Sequence, residues 1–361
     1  MTRPSILQAH EGELGGDHYL PSTVANVSWG LLPTADTPAV LTMRSGETVA
    51  IDTVSHEGIL EDQGRDPLAF FARHGVAGAD VLRDAAAIAA EYAGHDPRTC
   101  GPHVVTGPIH VADARPGDVL KVDFLRLLPR AGYGIISSRH GRGALPGEMP
   151  LTPGTVSLFC AVDGEGDALV GSLRGGGDRA LRFPLAPFLG IVGVTPAGST
   201  PLHSVPPGPF GGNMDVRDLV AGTTLYLPVQ VPGAGLFVGD PHYAQGHGEV
   251  ALTALEAPLR ATLRVNLLPA AQSRAILGVL DRPFAETSQH WIVLGLHRDL
   301  NEAFRQATRE ALRALKDLRD VPPEIAYAYL SAAADFVVTQ VVDDVKGVHC
   351  LIRKADFARW G

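Results

Sequence analysis

The chain has 361 residues, with 30 Lys and Arg against 39 Asp and Glu, so its formal charge is −9 at pH 7. This acidic balance argues against nucleic acid as the main partner, because binding phosphates requires clustered positive charge that the chain lacks. Hydrophobic residues make up 45% of the chain and charged residues 19%, which excludes a disordered chain and predicts a large apolar core.

The 41 glycines and 28 prolines favour many turns and short strands over a helical bundle. Residues 39–43 and 47–53 are rich in Val, Ile and Thr, which predicts two strands. Residues 79–92 are rich in alanine and predict a helix that ends before Gly94 and Pro97. We expect this helix to pack on a sheet.

The next elements return to strands and loops. Residues 119–125 alternate with a period of two, which predicts a strand with one buried face. Residues 132–154 are rich in Gly, Pro and Arg and predict a long surface loop, either solvated or acting as a binding loop. The glycine-rich stretch 163–178 predicts a further turn or loop.

A short internal repeat has an offset of 105 residues. Its first copy holds Gly107, Val111, Gly117 and Leu120, and its second copy holds Gly212, Val216, Gly222 and Leu225. Duplication would give two β-rich modules with His110 and Asp215 in matching places, and chance similarity of two turn–strand units is the alternative.

The last part of the chain is predicted to contain two helices and a strand. Residues 299–317 place apolar side chains at helical spacing with charges on the other face, which predicts an amphipathic helix. A second helix is predicted over 324–343, after Pro322 and Pro323, and a strand over 348–352.

These elements predict a mainly β fold of β-sandwich or jelly-roll-like modules, with possible internal duplication and a smaller α+β C-terminal part. We divide the chain into an N-terminal β-rich segment with one helix (1–105), a central β-rich domain that carries the candidate site (106–270) and a C-terminal α+β segment (271–361).

The cysteines and the apolar runs indicate the cellular compartment in which the protein is expected. Cys100, Cys160 and Cys350 are widely spaced and form no CxxC pair, so we expect a reducing cytoplasm. Residues 8–13 are polar, so no signal peptide is expected, and no apolar run approaches the roughly 18 residues of a membrane span. We therefore expect neither a membrane span nor a membrane partner.

The most informative window for chemistry is 235–256. Asp240 and His242 follow a predicted buried strand, and residues two apart in an extended backbone point to the same side. Gln245, His247 and Glu249 alternate with glycines, so we expect their side chains to share one face. An exposed turn is the alternative for this window.

Two other segments could contribute to a site. Asn213 and Asp215 lie two apart in a Pro/Gly-rich loop, and His56 and Glu57 follow the predicted strand 47–53. Rigid connecting turns exposed to water explain both segments equally well.

The residue types bear on the reaction. A carboxylate and an imidazole suit zinc or a similar divalent ion, and a second carboxylate suits general-base work. HExxH, zinc-finger and EF-hand patterns are absent from the sequence, as are a GxSxG elbow and a P-loop. Hydrolysis without a side-chain nucleophile would require activated water.

The sequence resembles the acetamidase/formamidase family. The resemblance is carried, in order, by 105–109, by 115–120, by Gly-Gly-Asn-Met-Asp at 211–215 and by Gly-Asp-x-His-x-Ala-Gln-Gly-x-Gly-Glu at 239–249. It implies a β-rich homo-oligomer that hydrolyses a small amide substrate such as formamide or acetamide to the acid and ammonia. It also implies a divalent metal ion, with zinc the first choice and calcium the second.

The resemblance also implies roles for individual residues. Asp240, His242, Asp215 and His56 would hold a metal that polarises water and the substrate carbonyl. Glu249 would take the proton from water and pass it to the leaving ammonia, and Asn213 would hydrogen-bond the amide.

Two departures accompany the resemblance. His247 stands where family members commonly have Asp, and the segment of His56 and Glu57 differs from an Asp-containing turn expected in many relatives. Two alternatives remain: a non-catalytic β-sandwich protein that binds a small ligand, and an amidase for a larger amide whose pocket the 132–154 loop would shape.

Overall fold

A computed structural model describes residues 4–360 of the chain. Within that range the backbone forms twenty β-strands and five α-helices. In chain order the strands are β1 (His18–Leu20), β2 (Val27–Trp29), β3 (Leu41–Met43), β4 (Thr48–Asp52), β5 (Val104–Val111), β6 (Val119–Pro129), β7 (Tyr133–Arg139), β8 (Thr155–Asp163), β9 (Val170–Arg174), β10 (Ala180–Pro184), β11 (Phe188–Val194), β12 (Gly211–Asn213), β13 (Thr224–Pro228), β14 (Leu236–Ala244), β15 (Leu255–Glu256), β16 (Leu259–Leu268), β17 (Phe284–Glu286), β18 (His290–His297), β19 (Asp335–Gln340) and β20 (Lys346–Arg353). The helices are α1 (Pro67–Ala72), α2 (Arg83–Glu91), α3 (Ala270–Leu277), α4 (Leu300–Arg319) and α5 (Pro323–Ala333).

The strands form two large sheets. A nine-stranded sheet has the order β1-β4-β16-β6-β13-β17-β18-β20-β19. An 11-stranded sheet has the order β10-β9-β8-β7-β15-β14-β11-β12, and β5 joins it by pairing with β14, β2 and β3. Strands from all three predicted segments hydrogen-bond within the nine-stranded sheet, and the boundaries at 105 and 270 stay predictions.

The largest core cluster contains side chains from both sheets. Val122, Phe124 and Leu263 come from the nine-stranded sheet, and Ile191 and Phe237 come from the 11-stranded sheet. All five are almost completely buried, so apolar surface removed from water holds the two sheets together. The predicted mainly β fold is confirmed.

Helix α4 packs on the nine-stranded sheet as its sequence predicts. Ala303, Ala307, Ala311 and Leu315 recur every four residues and are fully buried. The side chain of Asp299 caps the first turn by accepting a hydrogen bond from the Glu302 backbone N–H at 3.0 Å. Among residues 4–360, no helix combines the length and the apolar composition that a membrane span requires.

Two predicted loops contain strands. Residues 132–154 include β7, so only the part after Arg139 is a loop, and 163–178 include β9. Gly134 explains the first error, because a Cβ on it would lie 2.7 Å from the Glu256 carbonyl oxygen. Glycine here permits close approach of β15 rather than marking a turn.

The predicted helix over 324–343 is wrong in its second half. Helix α5 ends at Ala333, and the chain continues directly into β19. Residues 336–339 are Phe-Val-Val-Thr, which favour a half-buried strand, and β19 pairs with β20.

The two copies of the internal repeat occupy neighbouring positions in the fold. Leu120 and Leu225 lie on β6 and β13, which pair antiparallel in the nine-stranded sheet. Gly107 and Gly212 lie on β5 and β12 of the 11-stranded sheet. Each copy therefore leads the chain from one sheet to the other, and the duplication itself stays a prediction.

A buried charge network anchors the chain just before His56. Arg130 is fully buried, and its Nη2 atom lies 2.7 Å from Asp84 and 3.5 Å from Asp52. Asp52 also accepts a 2.6 Å hydrogen bond from Nε of Arg260. The Nη1 atom of Arg130 donates to the Thr53 carbonyl at 3.0 Å. These contacts fix the end of β4, from which the segment of His56 continues.

We expect Arg130→Met to lower the free energy of unfolding by about 3–5 kcal/mol, because it leaves buried carboxylates without their partner. Urea denaturation followed by circular dichroism measures this. Arg126→Met is the matched control four residues earlier in the chain, since Arg126 pairs with Glu13 at the surface and should contribute at most about 1 kcal/mol. Equal effects of the two variants would contradict the anchoring role.

Candidate active site

A cavity of about 430 Å³ brings together side chains that are far apart in sequence. Five of the six side chains predicted for the site line it, namely His56, Asn213, Asp215, Asp240 and Glu249. The sixth, His242, is fully buried and contacts Asp240. The volume lies within the range of about 300–1,000 Å³ that is typical of small-molecule sites.

Strand β14 positions the pair Asp240 and His242. The Nε2 atom of His242 lies 3.0 Å from Oδ2 of Asp240, so the two side chains do converge. Gly190 on the neighbouring β11 makes room for them: a Cβ there would lie 2.5 Å from carboxylate oxygens of both Asp240 and Asp215. The bare backbone of Gly190 is therefore part of the wall behind the site.

Three acidic site residues have left-handed backbones. The φ angles are 54° at Asp215, 49° at Asp240 and 47° at Glu249. Such a conformation costs a residue with a Cβ about 1–3 kcal/mol, and it persists only where the surrounding structure imposes it. The fold therefore accepts local strain to aim these carboxylates.

His56 has a partner that orients its ring. Its Nε2 atom lies 3.4 Å from Oε1 of Glu57, while its Nδ1 atom lies 3.4 Å from Oδ1 of Asp240. The Nδ1 atom has no hydrogen-bond partner among the described residues. A carboxylate on one ring nitrogen with the other nitrogen left free is the arrangement that commonly supports a metal-ligating histidine.

Sequence reasoning missed three further side chains of the cavity wall. His103 packs edge-on against His56, with ring centroids 5.2 Å apart, and Glu256 places Oε1 3.0 Å from Nε2 of His242. Asp343 lies between β19 and β20 and lines the same cavity. Glu256 could have been found at the end of the 235–256 window, whereas His103 and Asp343 carry no spacing signal.

Three carboxylates of the cavity are close enough to repel one another. Burial raises the pKa of Asp215 well above its ordinary value, and repulsion from Glu249 and Asp343 adds to it. Burial and the Asp343 charge likewise raise the pKa of Glu249. Burial raises the pKa of Asp343 to about 7. A cation bound near these carboxylates would stabilise their ionised forms.

Two imidazoles of the site have opposite pKa shifts. Burial lowers the pKa of His103 to about 3, so this ring is neutral. Burial also opposes protonation of His56, but Asp240 and Glu57 outweigh it and raise its pKa to about 10. Burial disfavours ionised Asp240, yet the charge of His242 and the close contacts of His242 and His56 with its carboxylate hold its pKa well below the ordinary range. Asp240 is therefore ionised, which is the charge state that a metal-ligating carboxylate requires.

The donor set fits a divalent metal ion. Three groups of potential ligand atoms lie within 4.8 Å of one another at the cavity: His56, His103 and Asp240; Asp215, His242 and Glu249; and Asp240, His242 and Glu256. Several of these buried atoms lack a hydrogen-bond partner among residues 4–360, including both carboxylate oxygens of Asp215, Oδ1 of Asp240 and both ring nitrogens of His242. Unpaired buried donors and acceptors are costly, and a cation would satisfy them.

The structure separates the side chains of Gln245, His247 and Glu249, which were expected to share one face. Strand β14 ends at Ala244, and the following backbone turns, with φ 97° at Gly248. Gln245 is buried, and its Nε2 donates to the Asp215 carbonyl at 2.9 Å. His247 is exposed and lies beside His349 instead, so the expectation of one shared face was wrong because the backbone is not extended. In the repeat, His110 likewise does not line the cavity that Asp215 lines.

Comparison with known proteins shows a family similarity over the part of the chain that contains most of the site residues. Residues 196–352 match the sequence profile of the Acetamidase/Formamidase family. This part of the chain is similar to that family. It contains the site residues Asp215, Asp240, His242, Glu249, Glu256 and Asp343, whereas His56 and His103 precede it. The resemblance stated from the motifs at 211–215 and 239–249 is confirmed.

Relatives and a solved structure extend the similarity. The chain is 28% identical over 191 residues to a formamidase of Methylophilus methylotrophus, covering 41% of this chain and 47% of the relative. It is 28% identical over 202 residues to an acetamidase of Mycolicibacterium smegmatis, covering 41% and 49%. The chain thus spans about half the length of the curated relatives it matches. An acetamidase structure from Bacillus halodurans superposes with a TM-score of 0.73 at 27% identity, covering 95% of this chain and 99% of that one.

Proposed function

We propose that the protein is a metal-dependent amidohydrolase that cleaves short aliphatic amides of the formamide or acetamide type to a carboxylate and ammonia. The observation that carries the proposal is the cavity itself, in which buried carboxylates and imidazoles with unpaired atoms surround Asn213 and Glu249. The relatives named formamidase and acetamidase support the same chemistry.

The residues proposed to hold the metal are Asp215, Asp240, His242 and His56. Zinc is the first choice because the set combines imidazole nitrogen with carboxylate oxygen, and calcium is the second because carboxylates are abundant. When bound, a divalent cation supplies Lewis acidity, which polarises a carbonyl and favours deprotonation of water. An amide is a poor electrophile and neutral water a poor nucleophile, so the reaction needs both effects.

Glu249 is proposed as the general base. It takes a proton from water as the water oxygen bonds to the carbonyl carbon, and it delivers that proton to nitrogen as the carbon–nitrogen bond breaks. Ammonia leaves and the carboxylic acid remains; the acid then releases its second water-derived proton to solvent and becomes the carboxylate, so atoms and charges balance. Burial and the Asp343 charge raise the pKa of Glu249, which makes its carboxylate a stronger base than an exposed glutamate.

Asn213 is proposed to orient the substrate. It lines the cavity, is 1% exposed, and its Oδ1 atom has no hydrogen-bond partner among the described residues. A carboxamide both donates and accepts, so it matches the substrate amide group. Holding the amide in one orientation lowers the entropic barrier to attack.

Two alternatives remain as further proposals. A non-catalytic protein could use the same cavity to bind a small polar ligand, since a fold does not determine a function. An amidase for a larger amide is favoured by the cavity volume of about 430 Å³, and the loop after β7 contributes Arg142 to its lining. The oligomeric state stays a prediction from the sequence resemblance.

We expect purified protein to release ammonia from formamide or acetamide, to lose this activity after chelation and to regain it with zinc. The measurement is an ammonia assay with formamide, acetamide and a longer amide, combined with metal analysis and a separate calcium arm. No ammonia from any amide, in folded protein that contains metal, would favour the binding protein. Full activity in metal-free protein would contradict the metal role alone.

A further inference from the structure

A second cluster of potential metal ligands lies outside the cavity. Asp218, His247 and His349 each offer one ligand atom, and these atoms lie within 4.8 Å of one another. They come from three separate parts of the chain: the segment after β12, the turn after β14, and β20. None of the three lines the cavity described above.

His349 is held in a ligating orientation. The side chain is fully buried, and its Nδ1 atom hydrogen-bonds Oγ1 of Thr339 at 2.8 Å. Its Nε2 atom lies 3.2 Å from Oδ2 of Asp218, yet neither atom has a hydrogen-bond partner among residues 4–360. A buried imidazole with one nitrogen fixed and the other unpaired is prepared for a ligand.

Backbone hydrogen bonds fix the turn that carries His247 to β19, the strand that contains Thr339. The N–H of Gly248 donates to the Thr339 carbonyl at 3.0 Å, and the Val341 N–H donates to the Gly248 carbonyl at 3.2 Å. The rings of His247 and His349 lie 5.4 Å apart between centroids. Backbone hydrogen bonds therefore hold the exposed imidazole next to the buried one.

The electrostatics suit a ligand role for His247. Partial burial lowers its pKa, and the neighbouring His349 and Arg217 lower it further, which favours the neutral imidazole that binds metals. Asp218 remains ionised, because contacts with His349 and His247 outweigh burial and lower its pKa. The cluster therefore presents two imidazole nitrogens and one anionic oxygen.

We propose that Asp218, His247 and His349 form a second divalent-metal site, separate from the cavity and suited to zinc. Two imidazoles and one carboxylate are a common zinc ligand set that leaves one position to solvent. The exposure of His247 gives the ion a path from solvent.

The test measures zinc binding to metal-free protein and protection of His247. Zinc should protect His247 from diethyl pyrocarbonate, as followed by peptide mass spectrometry, while the exposed His297 on β18 reacts with and without zinc. In titrations with a competing chelator, His247→Ala and Asp218→Asn should each weaken one zinc equivalent about tenfold or more. His297→Ala is the matched control and should change neither result.

Equal reaction of His247 with and without zinc, or unchanged zinc titrations in both variants, would overturn the proposal. His247 is exposed, so its replacement should leave the fold intact. The readouts do not use amide hydrolysis, so they are independent of the function proposed for the cavity.

Discussion

Replacing Gly190 with alanine is expected to lower kcat/KM for amide hydrolysis by at least about 10²-fold, because displacements near 1 Å at a site can have effects of that size. The added Cβ would lie 2.5 Å from carboxylate oxygens of Asp215 and Asp240 and 2.8 Å from Cε1 of His242. These groups must move apart, so metal affinity should fall with activity. Ammonia release and metal analysis of the purified variant measure both effects.

The matched control for this variant is Gly246→Ala. A Cβ on Gly246 meets no heavy atom within 4 Å, and its φ is not in the left-handed region. This glycine lies close in sequence to Glu249, yet its replacement should leave activity and metal content unchanged. Overpacking at Gly190 should also lower the free energy of unfolding, by about 1–3 kcal/mol. Normal activity and metal content in Gly190→Ala would show that this close approach is not needed.

The site could be predicted from sequence where it obeys a local rule. The spacing of Asp240 and His242 predicted that their side chains converge, and they meet at 3.0 Å, although Asp240 itself has a left-handed φ of 49°. Asn213 and Asp215 were found as two polar residues two apart in a Pro/Gly-rich loop, and the family motifs added the proposed role of Glu249. His56 was found only as a polar cluster at the end of a strand, and its neighbours Glu57 and Asp240 explain why it lies there.

The rest of the site depends on contacts across the chain. His103 and Asp343 lie in loops without periodicity, and they reach the cavity only because β5 pairs with β14 and β19 pairs with β20. Gly190 looks like any strand glycine until the carboxylates opposite it are known. Local patterns contain no information about such pairings, which follow from burial of both sheets.

The same limit explains the errors in the fold. Gly134 was interpreted as part of a loop, although it lies within β7 where the backbone of β15 approaches closely. Residues 335–340 were assigned to a helix, although pairing with β20 determines their conformation. Strand pairing therefore determines both conformations: it overrides the local glycine signal at Gly134 and agrees with the β-branched residues at 336–339.

Replacing Glu249 with glutamine is expected to lower kcat for amide hydrolysis by about 10²–10⁴-fold, the usual contribution of a positioned general base. Glutamine keeps the shape of the side chain but cannot accept the proton from water. The metal content should stay at the wild-type level, because Asp215, Asp240, His242 and His56 are unchanged. Steady-state kinetics with the preferred amide, together with metal analysis, measures the two quantities.

Asp240→Asn changes a proposed metal ligand, and comparing it with Glu249→Gln distinguishes a ligand from the proposed general base. Asp240 belongs to two of the candidate ligand groups at the cavity and lies 3.0 Å from His242, so its neutralisation should lower metal content and activity together. Glu249 itself lies within 4.8 Å of ligand atoms on Asp215 and His242. If Glu249→Gln also lost its metal, Glu249 would be a ligand, and the proton acceptor would have to be another carboxylate of the cavity. Retained metal with lost turnover would instead support Glu249 as the base, because metal binding and proton transfer would then depend on different side chains.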